Sequence, residues 1–338
     1  MEHERHALPE LDGIVNLAKP IAWSSAKAVT AVRDAIGGRR RKMGHAGTLD
    51  PRASGVLVLL VGQGTHLAEL LMDAGKEYIA TVRLGATSAT DDVEGQLSPR
   101  PGAVPPTEAQ IDEALRQFVG RVEQIPPTFS ALKIGGQRSY VLAKKGRKFQ
   151  PAPRTISIDS IERLDYRWPD LRLRICCGRG TYIRTLARDI GEALNVGGHL
   201  AGLERTRVGP FTLDSAVKPS FCLSGNVADW LLPLERAVEH LTFPDRRLTL
   251  DAEQAALASR GAGLEASRIA SIGPLLAEQE ALKSAEEAIG PIALFDPAGR
   301  LVSLAELCGI AMMPVHVLRP TWGGGRGRGA AGTAGRGE

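Results

Sequence analysis

Hydrophobic residues recur along the chain in the patterns of β-strands. Residues 55–61 read GVLVLLV, and an apolar run without alternation is typical of a strand that is covered on both faces. Between residues 77 and 84 apolar side chains alternate with more polar ones, which predicts a half-buried strand. Residues 13–17 and 171–177 are predicted to be strands on the same grounds.

Helical spacing appears between these strands. Ser24 or Ser25 is predicted to cap a helix that ends at Gly37, and Thr107 with Gln110 forms a capping box for another. A third helix follows the glycines at 178 and 180, with apolar residues from position 183 to 194 on one side. The strands and helices do not alternate regularly. The pattern therefore predicts an α+β fold whose central sheet is mixed or antiparallel and is flanked by helices.

The pattern changes after about residue 244. Asp251 is predicted to cap a short helix, residues 274–289 are Ala/Glu-rich and look helical, and residues 292–304 are predicted to form a hairpin. We therefore expect a flexible segment 1–11, a large domain 12–243, a small domain 244–320 and a disordered Gly/Arg-rich tail 321–338. The tail either adds weak RNA affinity or is a flexible terminus without function.

Composition narrows the class of protein. The chain has 338 residues, of which 43% are hydrophobic and 24% charged, as in ordinary globular proteins. The longest apolar stretch, 55–61, is too short to cross a bilayer, and residues 1–13 lack the apolar core of a secretory signal. The four cysteines form neither a metal-binding pair nor a disulfide framework. We therefore predict a cytoplasmic protein that does not contact membranes.

The charge distribution points to a nucleic-acid partner. The net charge of +4 is only mildly basic, but two basic segments, 37–42 and 133–154, contain no Asp or Glu. Each is either a loop that grips phosphates or a solvated basic face. A larger insertion, about 126–154, is predicted to close over RNA.

Candidate chemistry centres on Asp50, which ends the segment GHAGTLDP directly before the buried strand. An Asp before a Pro is commonly a turn residue, so the position alone does not establish catalysis. His45 has no second ligand at metal-binding spacing, and residues 62–65 lack the lysine of a phosphate-binding loop. We therefore predict neither a metal nor a cofactor.

GHAGTLDP resembles the signature loop of the TruB family of pseudouridine synthases. Further segments resemble the family in the same order: NLAKPIAWSS, KEYIATVRLGATSATDDVEGQ, IPPTFSALKIGGQRSYVLAKKG and GRGTYIRTLARDIGEAL, followed by GGHLAGLERTRVGPF. The resemblance spans about residues 12–215 and implies the pseudouridine synthase fold. Beyond residue 245 the sequence resembles the family's small PUA-like β module. Departures include Ala22 in place of a glycine and Phe129 in place of a tyrosine.

The resemblance also implies the roles of individual residues. Asp50 would be the nucleophile, Tyr78 the aromatic ring packed on the target base, and Arg184 the partner of Asp50 in an ion pair. Without the resemblance, Arg184 would be read as a surface arginine and Tyr78 as a core residue. The residues expected to contact the flipped nucleotide or the RNA are His45, Tyr182, Leu203, Lys19, Lys133, Arg179 and Arg205. A carboxylate shut in a pocket would tend to take up a proton, and the guanidinium of Arg184 is expected to keep Asp50 ionised.

The implied reaction is the isomerisation of uridine to pseudouridine in the T-loop of tRNA, at uridine 55, after base flipping. Two alternatives remain open from the sequence: an RNA-binding or RNA-folding module with a vestigial active site, and a pseudouridine synthase that acts on another RNA. The expected partner is tRNA, bound through its T-arm. No obligate protein partner is predicted, and a monomer is expected.

Overall fold

The computed structural model describes residues 11–38, 41–127, 151–241, 246–281 and 288–318, together with the short strands Lys133–Ile134 and Gln137–Arg138. The chain divides into two compact units. One comprises Gly13–Pro244, and the other comprises Asp245–Glu338 with Met1–Asp12. Among the described residues, no helix combines the length and apolarity needed to cross a membrane.

The large unit is built on a mixed sheet of ten strands. Its strands and those of two small hairpins are β1 Gly13–Lys19, β2 Met43–His45, β3 Ser54–Val61, β4 Lys76–Leu84, β5 Ala86–Ser88, β6 Leu97–Pro99, β7 Gly120–Gln124, β8 Lys133–Ile134, β9 Gln137–Arg138, β10 Arg154–Arg167, β11 Asp170–Cys177, β12 Gly198–Val208, β13 Phe211–Thr212 and β14 Leu232–Pro233. The order across the sheet is β14, β1, β3, β12, β4, β11, β10, β7, with β2 beside β3 and β13 beside β12.

One parallel contact makes the sheet mixed. Strands β3 and β12 run parallel, whereas the neighbouring pairs are antiparallel. Strand β3 lies in the middle of the core, since all but its first residue are buried. The predicted α+β class with a mixed central sheet is confirmed. The four strands predicted from the hydrophobic pattern are present, each with slightly different ends.

The helices of the large unit pack on this sheet and connect its strands. They are α1 Ser25–Ala35, α2 Ala68–Asp73, α3 Glu108–Arg116, α4 Ile183–Ala193, α5 Pro219–Ser224 and α6 Leu234–Leu241. Ser24 caps α1 through a bond from Lys27 N, and Thr107 with Gln110 forms the predicted capping box of α3. Helix α4 turns one face to the sheet, where Ile183, Leu186 and Ile190 are buried.

Strand β10 was not predicted from the sequence. It covers fourteen residues, Arg154–Arg167, and pairs with both β7 and β11. Most of its side chains are exposed or half-buried, so the hydrophobic alternation that identifies a strand is weak here. The basic segment 133–154 ends where this strand begins. Most of that segment lies outside the described residues.

The small unit is a five-stranded sheet with two helices. Its elements are β15 Arg247–Thr249, α7 Ala252–Ala258, β16 Leu264–Glu265, α8 Gly273–Ala281, β17 Ile289–Phe295, β18 Leu301–Cys308 and β19 Ala311–Val317. The predicted N-cap at Asp251 and the hairpin of β17 and β18 are confirmed, and the structure adds a capping box between Asp251 and Gln254. The predicted helix 274–289 was wrong at its end, because Ile289 starts strand β17; residues 282–287 lie outside the described residues. Strands β15 and β17 run parallel, and the other pairs are antiparallel.

Candidate active site

The Asp50 loop, residues 46–53, joins strands β2 and β3 at one end of the sheet. The loop is fixed at its centre by Ser25, the buried first residue of α1. The Ser25 hydroxyl accepts from Leu49 N at 2.9 Å and donates to Leu49 O at 3.0 Å. Ala53 N donates to Asp50 O at 3.0 Å, which closes the turn that leads into β3. Asp50 therefore sits on a loop whose main chain is held on both sides of the carboxylate.

Arg205 supports this loop from within the core. Its side chain lies on β12, and the residue is 1% exposed. The guanidinium donates to Val56 O at 2.7 Å, to Gly47 O at 3.2 Å and to Thr48 O at 3.4 Å. A guanidinium that is buried and bonded to three carbonyls has no surface for a phosphate. The expectation that Arg205 contacts RNA is therefore corrected, and we assign it to the support of the loop.

Lys19 has a similar position at the end of β1. It is 1% exposed, and its ammonium donates to the carbonyls of Pro20 at 3.1 Å, Trp23 at 2.7 Å and Ala53 at 2.5 Å. Burial lowers the pKa of Lys19 to about 8, while the nearby Asp50 carboxylate opposes this shift. The expected RNA contact of Lys19 is corrected for the same reason as that of Arg205. Its ammonium ties the residues after β1 to the end of the Asp50 loop.

The Asp50 carboxylate meets Arg184 of helix α4. Arg184 Nε lies 3.0 Å from Asp50 Oδ2, as the resemblance implied. The side chain of Arg184 is 11% exposed and that of Asp50 is 42% exposed. The carboxylate is thus open to a substrate on one side and paired with a buried cation on the other. The structure differs from the expectation of a carboxylate shut in a pocket, because the Asp50 side chain is 42% exposed.

Asp92 is a further member of this site that sequence reasoning missed. Arg184 Nη1 lies 3.4 Å from Asp92 Oδ2, and the Asp92 side chain is 13% exposed. The other carboxylate oxygen of Asp92 accepts from Thr90 Oγ1 at 2.5 Å and from Glu94 N at 3.0 Å. Arg184 is therefore held between two carboxylates, one of which is fixed by its own hydrogen bonds. The only signal in the sequence was the Asp-Asp pair at 91 and 92.

Tyr78 lies in the sheet beside the supporting arginine. It is directly opposite Arg205 on β12 and Ile175 on β11, and it is 9% exposed. Burial raises the pKa of the Tyr78 phenol, the Arg205 guanidinium opposes the shift, and the Asp50 carboxylate adds to it. Tyr78 is therefore an uncharged aromatic group within the electrostatic reach of Asp50. Leu203 precedes Arg205 by two residues on β12, so its side chain shares the sheet face with Tyr78.

Tyr182 is the residue before helix α4, and its main chain is held by Gln124. Gln124 is 3% exposed and lies at the end of β7. Its amide accepts from Tyr182 N at 2.8 Å and donates to Tyr182 O at 3.1 Å. Because Arg184 follows two residues later, this clamp fixes the start of the helix that carries it. Gln124 was not identified from the sequence, where it resembles any polar residue of a strand.

His45 ends strand β2 just before the Asp50 loop. Burial, and next the Arg205 guanidinium, lower the pKa of His45, which keeps the ring neutral near pH 7. Among the described residues its Nδ1 atom is buried and has no hydrogen-bond partner. In the same part of the chain, no cluster of three or more His, Cys, Asp or Glu side chains is arranged to hold a metal ion.

The two other predicted RNA contacts lie apart from this cluster. Arg179 Nη1 contacts Glu69 at 2.8 Å and Asp73 at 2.9 Å, both on helix α2. A phosphate would have to compete with these two carboxylates, so we leave Arg179 out of the proposed RNA contacts. Lys133 belongs to the short strand β8, and its side chain lies outside what the structure describes.

Comparison with known proteins decides the family. Residues 35–183 match the model of the TruB family pseudouridylate synthase N-terminal domain, and residues 184–239 match that of the tRNA pseudouridylate synthase B C-terminal domain. The tRNA pseudouridine synthase B of Phocaeicola vulgatus is 45% identical over 218 residues, which cover 63% of this chain and 90% of the relative. The chain belongs to the TruB family of pseudouridylate synthases. The resemblance identified from the sequence is confirmed.

Other relatives extend the match to the small unit. The tRNA pseudouridine synthase B of Thermobifida fusca is 39% identical over 315 residues, covering 90% of this chain and 98% of the relative. Among solved structures, the crystal structure of a Cbf5-Nop10-Gar1 complex matches with a TM-score of 0.67 and 25% identity. The match covers 95% of this chain and 92% of that chain. This TruB family chain therefore has the predicted fold across both units, including the C-terminal β module.

Proposed function

We propose that this chain is a tRNA pseudouridine synthase that isomerises uridine 55 in the T-loop, with Asp50 as the nucleophilic carboxylate. The observation that carries the proposal is the contact of 3.0 Å between Asp50 Oδ2 and Arg184 Nε, on a carboxylate that is 42% exposed. The pairing orients the carboxylate, while the exposure leaves the group open to a ribose. Membership of the TruB family supports the same reaction.

The reaction must break one bond to the ribose and form another. The bond between N1 of uracil and C1′ is broken, the base turns, and C5 is joined to C1′. The proton on C5 is released to water, and N1 takes up a proton, so the change is an isomerisation that requires neither oxidant nor energy source. An ionised carboxylate assists either by forming a covalent adduct with the sugar or by stabilising an electron-poor sugar.

The side chains around Asp50 supply what a flipped nucleotide needs. Tyr78 offers an uncharged aromatic surface for the base, and Leu203 shares its sheet face. His45 ends β2 directly before the Asp50 loop and its ring is neutral, so it suits a contact with the nucleotide that adds no charge. Tyr182 is held by its main chain, which leaves its ring available for stacking.

We assign tRNA binding to contacts between the T-arm of the tRNA and the basic insertion at about 126–154 of the chain. That segment contains Lys133 and six further Lys or Arg residues, and residues 133–154 contain no Asp or Glu. Binding through phosphates releases counterions, so tRNA affinity should fall steeply as salt rises. We further propose that the chain acts as a monomer, without an obligate protein partner.

Release of tritium tests the proposed reaction. The chain is incubated with tRNA that carries tritium at C5 of its uridines, and tritium in water is counted. We expect about one equivalent per tRNA, because a single uridine is modified. A tRNA with cytidine at position 55 is the control and should give no release. Absence of release from the uridine-containing tRNA would contradict the proposed function, and equal release from both tRNAs would contradict the proposed position.

A further inference from the structure

A second ion pair lies beside the contact between Arg184 and Asp92. Arg188 is four residues after Arg184 on helix α4, so the two side chains lie on neighbouring turns of one face. Arg188 Nη1 lies 3.0 Å from Asp91 Oδ2, just as Arg184 Nη1 meets Asp92. Two consecutive carboxylates thus meet two consecutive turns of the helix.

The position of Asp91 is set by its main chain. Asp91 O accepts from Leu200 N at 2.9 Å, and Asp91 N donates to Ser88 O at 3.2 Å. The backbone of Asp91 has a φ of 61°, in the left-handed region that Asp adopts more readily than most residues. The main chain of Asp91 is therefore fixed against β12, and the residue is 8% exposed.

The buried carboxylate of Asp91 affects the pair formed by Arg184 and Asp50. Burial raises the pKa of Asp91, and Arg188 first and Arg184 second act against that shift, so Asp91 attracts both guanidinium groups. Without Arg188, the nearest compensating charge for Asp91 would be Arg184, which is already shared by Asp50 and Asp92. A guanidinium drawn towards Asp91 would move away from Asp50.

We propose that Arg188 and Asp91 are a positioning pair, in which Arg188 neutralises Asp91 and thereby keeps Arg184 directed at Asp50. This role rests on the proposed function, because its effect is exerted through the Asp50 carboxylate. Neither residue is assigned a contact with the reacting atoms. Arg188 also contacts Asp189 Oδ1 at 2.8 Å, which holds its guanidinium on the side of the helix that faces Asp91.

A double-mutant cycle on the Arg188 and Asp91 pair tests the proposal. The single-turnover rate of tritium release is measured with saturating enzyme, and the Kd for tRNA is measured separately. Arg188→Gln should lower the rate by about 10- to 100-fold, because a small displacement of Arg184 is enough to weaken catalysis, and should leave the Kd within about twofold. Adding Asp91→Asn removes the uncompensated carboxylate and should restore most of the rate.

A second ion pair, between the sheet and helix α3, serves as the control. Arg163 on β10 contacts Asp112 of α3 through Nε at 2.8 Å and Nη2 at 3.0 Å. The same cycle with Arg163→Gln and Asp112→Asn should change the free energy of unfolding but not the rate. This separates loss of an ion pair in general from loss of the positioning role.

Each outcome of the cycle is decisive. A folded Arg188→Gln variant with the rate of the wild type overturns the proposal, and so does a folded double variant that stays as slow as Arg188→Gln. If Arg188→Gln does not fold, the double variant decides alone, since it lacks the buried unpaired carboxylate and should be both folded and active. Failure of the proposed function looks different, because then the wild type itself releases no tritium.

Discussion

The two sides of the site around Asp50 are held in different ways. On the side of the loop, the buried cations of Lys19 and Arg205 donate to main-chain carbonyls. On the side of helix α4, Arg184 is held by carboxylates, and the start of its helix is clamped by the amide of Gln124. The first side fixes where the Asp50 main chain lies, and the second fixes the direction of its carboxylate.

This difference has a consequence for mutations. A main-chain carbonyl that loses a buried donor destabilises the folded state wherever it lies, whereas a side-chain ion pair at the site acts on the reacting group. We therefore expect changes on the loop side to appear mainly in stability and changes on the helix side mainly in rate.

The largest effect on rate among these residues is expected for Arg184→Gln. The variant loses the charge that pairs with Asp50, and removal of one oriented group from an active site slows reactions by about 10²- to 10³-fold. Single-turnover tritium release measures the rate, and urea unfolding measures stability. A rate within threefold of the wild type would show that the contact with Asp50 is not used in the reaction.

Arg205→Met should act mainly on stability rather than on rate. The variant leaves three carbonyls around the Asp50 loop without their buried donor, and the free energy of unfolding should fall by about 3–5 kcal/mol. Urea unfolding followed by circular dichroism measures this change. If Arg205→Met lost less stability than Arg184→Gln, the proposed division between the two sides would be wrong.

Gln124→Met should have a smaller effect on rate. Methionine has a similar length but can form a hydrogen bond with neither Tyr182 N nor Tyr182 O, so the start of α4 loses its clamp. We expect single-turnover release to slow by about tenfold, with the tRNA Kd nearly unchanged. Gln124→Glu keeps the acceptor but loses the donor, so its rate should lie between those of the wild type and Gln124→Met. Gln117→Met, at an exposed position, is the control and should match the wild type.

The smallest effect concerns the pH dependence of stability. Lys19 has a pKa of about 8 in the folded chain, against an ordinary value of 10.5 for a lysine, so between these values the unfolded state binds more protons. The free energy of unfolding therefore gains a contribution as pH rises from about 8, of roughly 1 kcal/mol per pH unit. Lys19→Met should remove this part of the slope in urea unfolding between pH 7.5 and about 9.5.

The exposed Lys218 provides the control for this measurement. Lys218→Met should leave the slope as in the wild type, because its side chain is exposed in the folded chain. An unchanged slope in Lys19→Met would contradict the assignment of Lys19 as a buried, partly desolvated cation.

The sequence predicted those parts of the fold that depend on local patterns. The apolar run of β3, the capping box at Thr107 and the helix cap at Asp251 involve residues a few positions apart, and each was found as predicted. Strand β10 was missed because its pairing with β7 and β11 does not require a buried face. Its hydrogen bonds are made by the main chain, which leaves no trace in the side-chain pattern.

The site was predicted less completely than the fold. The pairing of Asp50 with Arg184 followed from the resemblance to the TruB family, since nothing local connects two residues so far apart. Lys19 and Arg205 were wrongly expected at the RNA surface, because a basic residue in a sequence gives no sign of whether carbonyls surround it. Asp92 was missed for a related reason, since its role depends on which helix faces it.

Asp50→Asn tests the central claim most directly, namely that the carboxylate of Asp50 performs the reaction. The amide keeps the size and position of the side chain but cannot act as a nucleophilic or charged group. We predict that tritium release from tRNA falls by a factor on the order of 10⁴ or more, while the tRNA Kd and the free energy of unfolding stay close to the wild type. Appreciable turnover by a folded Asp50→Asn variant that binds tRNA normally would contradict the account.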